Sequence, residues 1–439
     1  MNNNFKQTDI GLIPEDWELH ELSRIAKITS GGTPSRKTPE YYSGNNLWVK
    51  SGELEDNYIS DTEEKITNEA IKNSSAKIFP AHTILIALYG ATVGKTAILL
   101  KEAATNQAVC AILQNQEVFN SEFVRFYLIT IRDKLLSQRY GGAQPNISQT
   151  IIKNTIVPLP TLSEQKKIAH ILSKIQQAIE TQEQIIKTTQ ELKKALMQKL
   201  FTEGLNSEPQ KQTEIGPIPK SWEVVKLREA VAYIDYGLSE AIPKNQAFEG
   251  VKNVSTADIT REGIILYHKI RKVQTSDRII ERLKLKDGDV LFNWRNSSEL
   301  IGKTAIFKEQ PVTHIFASFI LRIRCDEIKY HNYFLAYLMN YYRELGVFIK
   351  LSRRAVNQAN YNRNEIYVLD IPLPPYKEQV QIANAYRKLD EKIELLKEQL
   401  NSKRQLFSNS LNQLMTGQIR VKDIEFELNE NLSQSNLLA

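Results

Sequence analysis

Gly90 to Thr96 reads GATVGKT, which holds the residue types that cradle a nucleotide phosphate. The spacing excludes that chemistry. A phosphate loop needs four residues between its glycines, and three stand here. A second copy, at Ile301 to Ala305, lacks the first glycine, and no acidic strand to hold magnesium accompanies either copy. The six histidines do not cluster with cysteines or carboxylates at metal-ligand spacing. Cys110 and Cys325 are too few for a disulfide framework and sit in apolar runs, so they are expected as buried free thiols. That usage suits a reducing cytoplasm.

Asp370 to Tyr376 reads DIPLPPY, close to the (Asp/Asn)-Pro-Pro-(Tyr/Phe) motif of adenine methyl transfer. That motif needs Asn or Asp directly before the two prolines, and Leu373 stands there. The equivalent segment VPLPTLS, from Val157, has no Pro-Pro, and no glycine-rich cofactor loop precedes either segment. The chain is therefore expected to bind no cofactor and to catalyse nothing alone.

Two loops concentrate hydrogen-bonding side chains. SQRYGGAQPNISQ carries Arg139, Gln144 and Asn146, and LSRRAVNQANYNR carries Arg353, Arg354, Asn357, Gln358 and Asn360. A second pair of segments is LYGATVGK, with Tyr89 and Lys95, and FNWRNSSELIGK, with Asn293, Trp294, Arg295 and Lys303. Each set mixes basic, amide and aromatic groups.

These segments occupy matching places because the sequence repeats itself. TDIGLIPEDWE from Thr8 returns as TEIGPIPKSWE from Thr213, 205 residues later, and GKTAIL from Gly94 returns as GKTAIF from Gly302, 208 later. FVRFYL from Phe123 is echoed by YFLAYL from Tyr333. VPLPTLSEQKKIA from Val157 returns as IPLPPYKEQVQIA from Ile371, and LFT from Leu200 as LMT from Leu414. Five landmarks in one order make the chain a single unit of about 200 residues used twice.

Each unit begins with about 150 residues of mixed pattern. Short apolar runs such as KIFPAHTILIAL predict strands, and SGGTP and YGGAQPN predict turns. A long helix follows. Thr161 and Glu164 predict a capping box. Ile168, Leu172, Ile175, Ile179 and Ile186 then recur at helical steps, with Gln182 as a break. The second stripe is Ile382, Tyr386, Leu389, Ile393, Leu396, Leu400, Phe407 and Leu414, with Lys403 and Ser410 as breaks and Gly417 as the expected C-cap. Narrow stripes on long charged helices need partners, so the two helices are expected to pair as an antiparallel coiled coil with a globule at each end. The alternative is that each helix packs on its own globule.

The expected fold class is α+β: two mixed α/β recognition domains, two long antiparallel helices and a pseudo-two-fold internal repeat. The boundaries are 1–155 and 213–370 for the domains, 156–212 and 371–417 for the helices, and 418–439 for a tail.

The 439 residues are 41% hydrophobic, enough for real cores. No apolar run is long enough to cross a membrane, and the polar start has no leader pattern. The net charge of +6 suits a polyanion, but unevenly: residues 1–155 hold 16 Lys/Arg against 17 Asp/Glu, and 214–370 hold 24 against 19. Any polyanion would be held by local patches or with the help of a basic partner subunit.

Two similar heads on one frame suit DNA, where a pseudo-dimeric reader grips two half-sites at set spacing. The heads diverge between landmarks, ITSGGTPSRKTPE against AYIDYGLSEAIPK, so the half-sites would differ too. The IGxIPxxW entries at Ile10 and Ile215, the GKTAI turns, the PLPxxxEQxxIA helix starts and the LxTG-like helix ends together resemble the specificity subunits of type I restriction-modification systems. The resemblance covers nearly the whole chain. It implies target recognition domains that bind double-stranded DNA at a bipartite asymmetric site, with the helices docking two methyltransferase subunits. Those partners would carry S-adenosylmethionine and methylate adenine, and a restriction subunit using ATP and magnesium can join. On this reading the fourteen named residues of the four segments are DNA-contact candidates. Lys95 and Lys303 either approach phosphates or remain solvated. Trp17 and Trp222 either help dock a partner or anchor the core. The competing function is a non-catalytic coiled-coil adaptor without DNA readout.

Overall fold

A computed structural model describes residues 4–137, 146–239, 250–351, 353–355 and 358–424. The chain divides into two compact units, Met1–Glu183 with Glu398–Ala439, and Gln184–Lys397.

The first unit opens with an antiparallel hairpin, Phe5–Thr8 on Gly11–Pro14. Trp17 follows, fully buried and edge-on to Phe123 at 6.3 Å, so this landmark is a core anchor. A five-stranded sheet runs in the order Lys27–Ser30, Val109–Leu113, Ile84–Ala87, Thr96–Leu99, Asn57–Ile59. Every residue of Ile84–Ala87 and Thr96–Leu99 is buried, which explains why both are apolar except for Thr96, whose hydroxyl donates to Asp56. A four-stranded sheet joins Glu64–Ile66, Asn46–Val49, Ala103–Thr105 and Ile78–Phe79. The helix Ser121–Thr130, capped by Asn120 accepting from the Phe123 amide at 3.0 Å, buries Phe123, Phe126 and Leu128.

The second unit rebuilds this plan. Gln210–Thr213 pairs with Gly216–Pro219, and Trp222 is fully buried. The main sheet is Val231–Tyr236, Ile320–Cys325, Val290–Asn293, Thr304–Ile306, matching the first four strands of its counterpart in order. A smaller sheet joins Lys272–Val273, Val251–Val254 and His314–Phe316. Both cysteines are buried free thiols, and burial pushes the Cys110 thiol up to about 12.

The PLPxxxEQ landmark has a clear physical basis. Gln165 is 1% exposed; its amide donates to the carbonyls of Pro160 (2.9 Å) and Val118 (3.3 Å), and its oxygen accepts from the Asn120 amide (2.9 Å). Gln379 repeats the pattern with Pro374, Lys329 and His331. One buried glutamine thus fastens each helix start to its unit. Among the described residues the preceding proline-bearing strands each pair at one edge, Ile156–Leu159 on Glu18–Glu21 and Asp370–Leu373 on Glu223–Lys226. Proline is tolerated in such edge strands.

The long helices are Leu162–Glu203 and Tyr376–Met415, 42 and 40 residues. They pack together and run antiparallel. In the first unit Ile168, Ala169 and Leu172 share a core with Leu411, Leu414 and Met415, and the Lys403 ammonium donates to Gln182 at 2.7 Å. In the second unit the Tyr386 hydroxyl donates to the Leu196 carbonyl at 3.1 Å, and Lys193 pairs with Asp390. Each unit's core therefore takes the start of one helix and the end of the other. The expected capping box is only half made. The Thr161 hydroxyl accepts from the Glu164 amide at 3.3 Å, whereas the Glu164 carboxylate is held by Arg420 at 2.8–2.9 Å. Gly417 follows the second helix at φ +69°.

Candidate nucleic-acid interface

The GKTAI segments are turns between antiparallel strands, Ile84–Ala87 to Thr96–Leu99 and Val290–Asn293 to Thr304–Ile306. A phosphate loop would lead from strand to helix. Both turns close identically: the Gly94 amide donates to Ala87 (2.8 Å), and the Gly302 amide to Asn293 (2.9 Å). Gly94 and Gly302 sit at φ +78° and +79°, in the left-handed region that explains the glycine.

These hydrogen bonds put the two halves in exact register. The Ile147 amide donates to Leu88 at 2.7 Å, and the Tyr361 amide to Trp294 at 2.9 Å. Tyr89 pairs with Asn146 in an antiparallel bridge. Arg295 pairs with Asn360 in a small sheet formed by Arg295–Asn296, Gln358–Asn360 and Arg353–Ala355. In each unit, then, two candidate segments far apart in sequence lie side by side. Tyr89 corresponds to Arg295 and Asn146 to Asn360.

The side chains differ between units. Tyr89 is 42% exposed, and Lys95 is paired with Glu55 at 2.5 Å. In the second unit Arg295 is exposed, with its guanidinium over the Phe319 ring at 5.0 Å. Trp294 is partly buried; its indole donates to the Ser318 carbonyl at 2.7 Å and its ring meets Tyr236 and Phe319 edge-on at 5.4 and 6.1 Å.

Two expectations are corrected. Lys303 is only 5% exposed and neither solvated nor facing outward. Its ammonium donates to the carbonyls of Ile259 (2.6 Å) and Thr256 (2.7 Å), and burial, seconded by the charge of Arg343, holds it below the usual lysine range. Asn293 is fully buried in its strand. Both belong to the frame of the turn. Arg139, Gln144 and Asn357 lie outside the described residues; Arg353, Arg354 and Gln358 are placed by their paired strands. Sequence reasoning missed Tyr236 and Phe319. Only the hydrogen-bond register singles them out: where the second unit has Tyr236 and Phe319, the first has Ser30 and Ala108.

Among the described residues there is no cluster of three or more His, Cys, Asp or Glu able to hold a metal, and no helix long and apolar enough to cross a membrane.

The chain is thus a duplicated α+β unit with two long paired helices and two equivalent but chemically different strips. The family model of the type I restriction modification DNA specificity domain matches residues 14–191 and 219–403, once per repeat, and the chain belongs to that family. The type I restriction enzyme MjaVIII specificity subunit of Methanocaldococcus jannaschii is 28% identical over 439 residues, covering 96% of this chain and 97% of its own. The EcoKI specificity subunit of Escherichia coli is 20% identical over 402 residues, 89% and 86% of the two chains. The fold is shared with the S subunit of a type I restriction-modification system from M. genitalium, at TM-score 0.59 and 14% identity over 94% of this chain and 97% of that one.

Proposed function

We propose that each recognition domain, 1–155 and 213–370, reads one half of a bipartite asymmetric DNA site through its strip. The segments 156–212 and 371–417, which contain the helices Leu162–Glu203 and Tyr376–Met415, dock two methyltransferase subunits, and 418–439 is the C-terminal segment. The carrying observation is the convergence of Tyr89 with Asn146 and of Arg295 with Asn360 at equivalent places. Paired strands or a β-ribbon can present such side chains to a DNA groove, where Arg and Asn read guanine and adenine edges.

The strips carry different residues, so the half-sites differ. Contact residues are sought in Tyr89, Lys95, Arg139, Gln144 and Asn146 of the first domain, and in Trp294, Arg295, Arg353, Arg354, Asn357, Gln358 and Asn360 of the second. Catalysis, S-adenosylmethionine, ATP and magnesium belong to partner subunits. The partner methyltransferase flips and methylates adenine, a restriction subunit joins for cleavage, and the complex works in the cytoplasm.

The test is modified-base sequencing of cells carrying the methyltransferase with Tyr89→Ala or Arg295→Ala chains. Each variant is expected to relax one half of the motif and leave the other intact. Loss of both halves in either variant contradicts the assignment.

A further inference from the structure

Among the described residues the second strip carries a feature that the first does not. Tyr236, Trp294 and Phe319 form one aromatic cluster beside Arg295, with Tyr236 37% and Phe319 43% exposed. The hydrogen-bond register gives their counterparts. The Trp294 amide donates to Phe319 and the Leu88 amide to Ala108; Tyr236 lies opposite Leu321, as Ser30 lies opposite Cys110. The first unit therefore has Ser30, Leu88 and a buried Ala108 where the second has three aromatic rings. The core does not need this change, since Phe319 leaves much of its ring in solvent.

We propose that Phe319 is a specificity-determining residue of the second domain, reading the C5-methyl group of a thymine in the major groove. This rests on the strip being the DNA-contact face. An exposed phenyl ring has no hydrogen-bonding capacity, and among the groups on base edges the thymine methyl is its apolar counterpart. The geometry disfavours the other use of an exposed ring, as a wedge between base pairs. A wedge needs both faces free for stacking. Here Arg295 lies over the Phe319 ring and Trp294, anchored on the Ser318 carbonyl, holds the ring edge-on. The exposed part of the ring stands beside a cation, suited to touching a methyl while Arg295 engages the neighbouring base or phosphate.

The experiment uses the chain assembled with its methyltransferase and duplexes carrying the site found by sequencing. Each thymine of the second half-site is replaced in turn by uracil, which removes only the methyl. One replacement is expected to weaken binding by about fourfold, the equivalent of burying one methyl-sized group (~0.8 kcal/mol). Phe319→Ala is expected to lose the same factor on thymine DNA and to become indifferent to that replacement, with the first half-site unaffected. Three results overturn the inference: a wild-type chain indifferent to every uracil replacement, a Phe319→Ala chain that still senses the uracil, its loss then falling equally on both duplexes as a wedge would give, or a second half-site without thymine on either strand. Arg295→Ala separates the failures. If it relaxes the second half-site while Phe319→Ala does not, only Phe319 is wrongly assigned. If neither changes that half-site, the strip itself is not the reading face.

Discussion

Arg295 and Asn360 face each other across an antiparallel strand pair, although 64 residues separate them in sequence. Arg353 lies opposite Asn360 on the other edge of the same small sheet. Candidate residues from two loops thus share one three-stranded surface. Replacing Arg353 and Arg354 with Ala is therefore expected to weaken or redirect reading at the second half-site alone, by roughly 1–3 kcal/mol if a base contact is lost. Binding assays with duplexes altered in one half-site at a time measure this. Uniform weakening with a flatter salt dependence would instead show that these arginines touch only phosphates.

Lys303 gives the opposite expectation. Its ammonium is buried on the carbonyls of Thr256 and Ile259. Lys303→Met should lower stability by about 1–3 kcal/mol, because two buried acceptors lose their donor. It should leave the slope of binding against salt unchanged, since no phosphate contact is removed. Thermal unfolding and a salt titration read the two effects separately.

Arg420 ties residues after the second long helix to the first unit. It donates to Asp16 at 2.8 Å and to Glu164, whose side chain is 1% exposed. Arg420→Ala leaves that carboxylate buried without its cation and should cost about 3 kcal/mol. Asp16→Ala should cost well under 1 kcal/mol, because Asp16 is half exposed and screened. Chemical denaturation of the two variants gives the comparison.

The same contact has a pH signature. The Arg420 hydrogen bond, aided by its charge and that of Lys422, holds the Asp16 carboxyl below its ordinary 3.8. The folded chain keeps Asp16 ionised at pH values where the unfolded chain protonates it. Its small contribution is thus complete above the unfolded value and fades as pH falls through the lower folded one. Between wild type and Asp16→Asn, the stability difference should shrink below pH 4 and be flat above pH 5.

The sequence disclosed what periodicity and repetition encode. The long helices, their apolar stripes and the buried Trp17 and Trp222 are local patterns that appear twice. The inward turn of Lys303 was not legible. Lys95 and Lys303 share the GKTAI motif, yet one meets Glu55 at the surface and the other meets the Thr256–Ile259 backbone, a segment outside the motif. Asn293 has the residue type of a loop amide but ends a buried strand, at the register position that Ala87 holds in the first unit. Phe319 and Tyr236 were passed over because an aromatic residue at a strand end reads as core; only the register between repeats shows that no core requires them.

The central claim is that this chain alone selects the DNA site. Modified-base sequencing of cells carrying its partner methyltransferase, with and without this chain, tests it most directly. The expected result is methyl-adenine in a split, asymmetric motif only when the chain is present. An active methyltransferase giving the same pattern in both cells would contradict the claim and leave the paired helices as an adaptor.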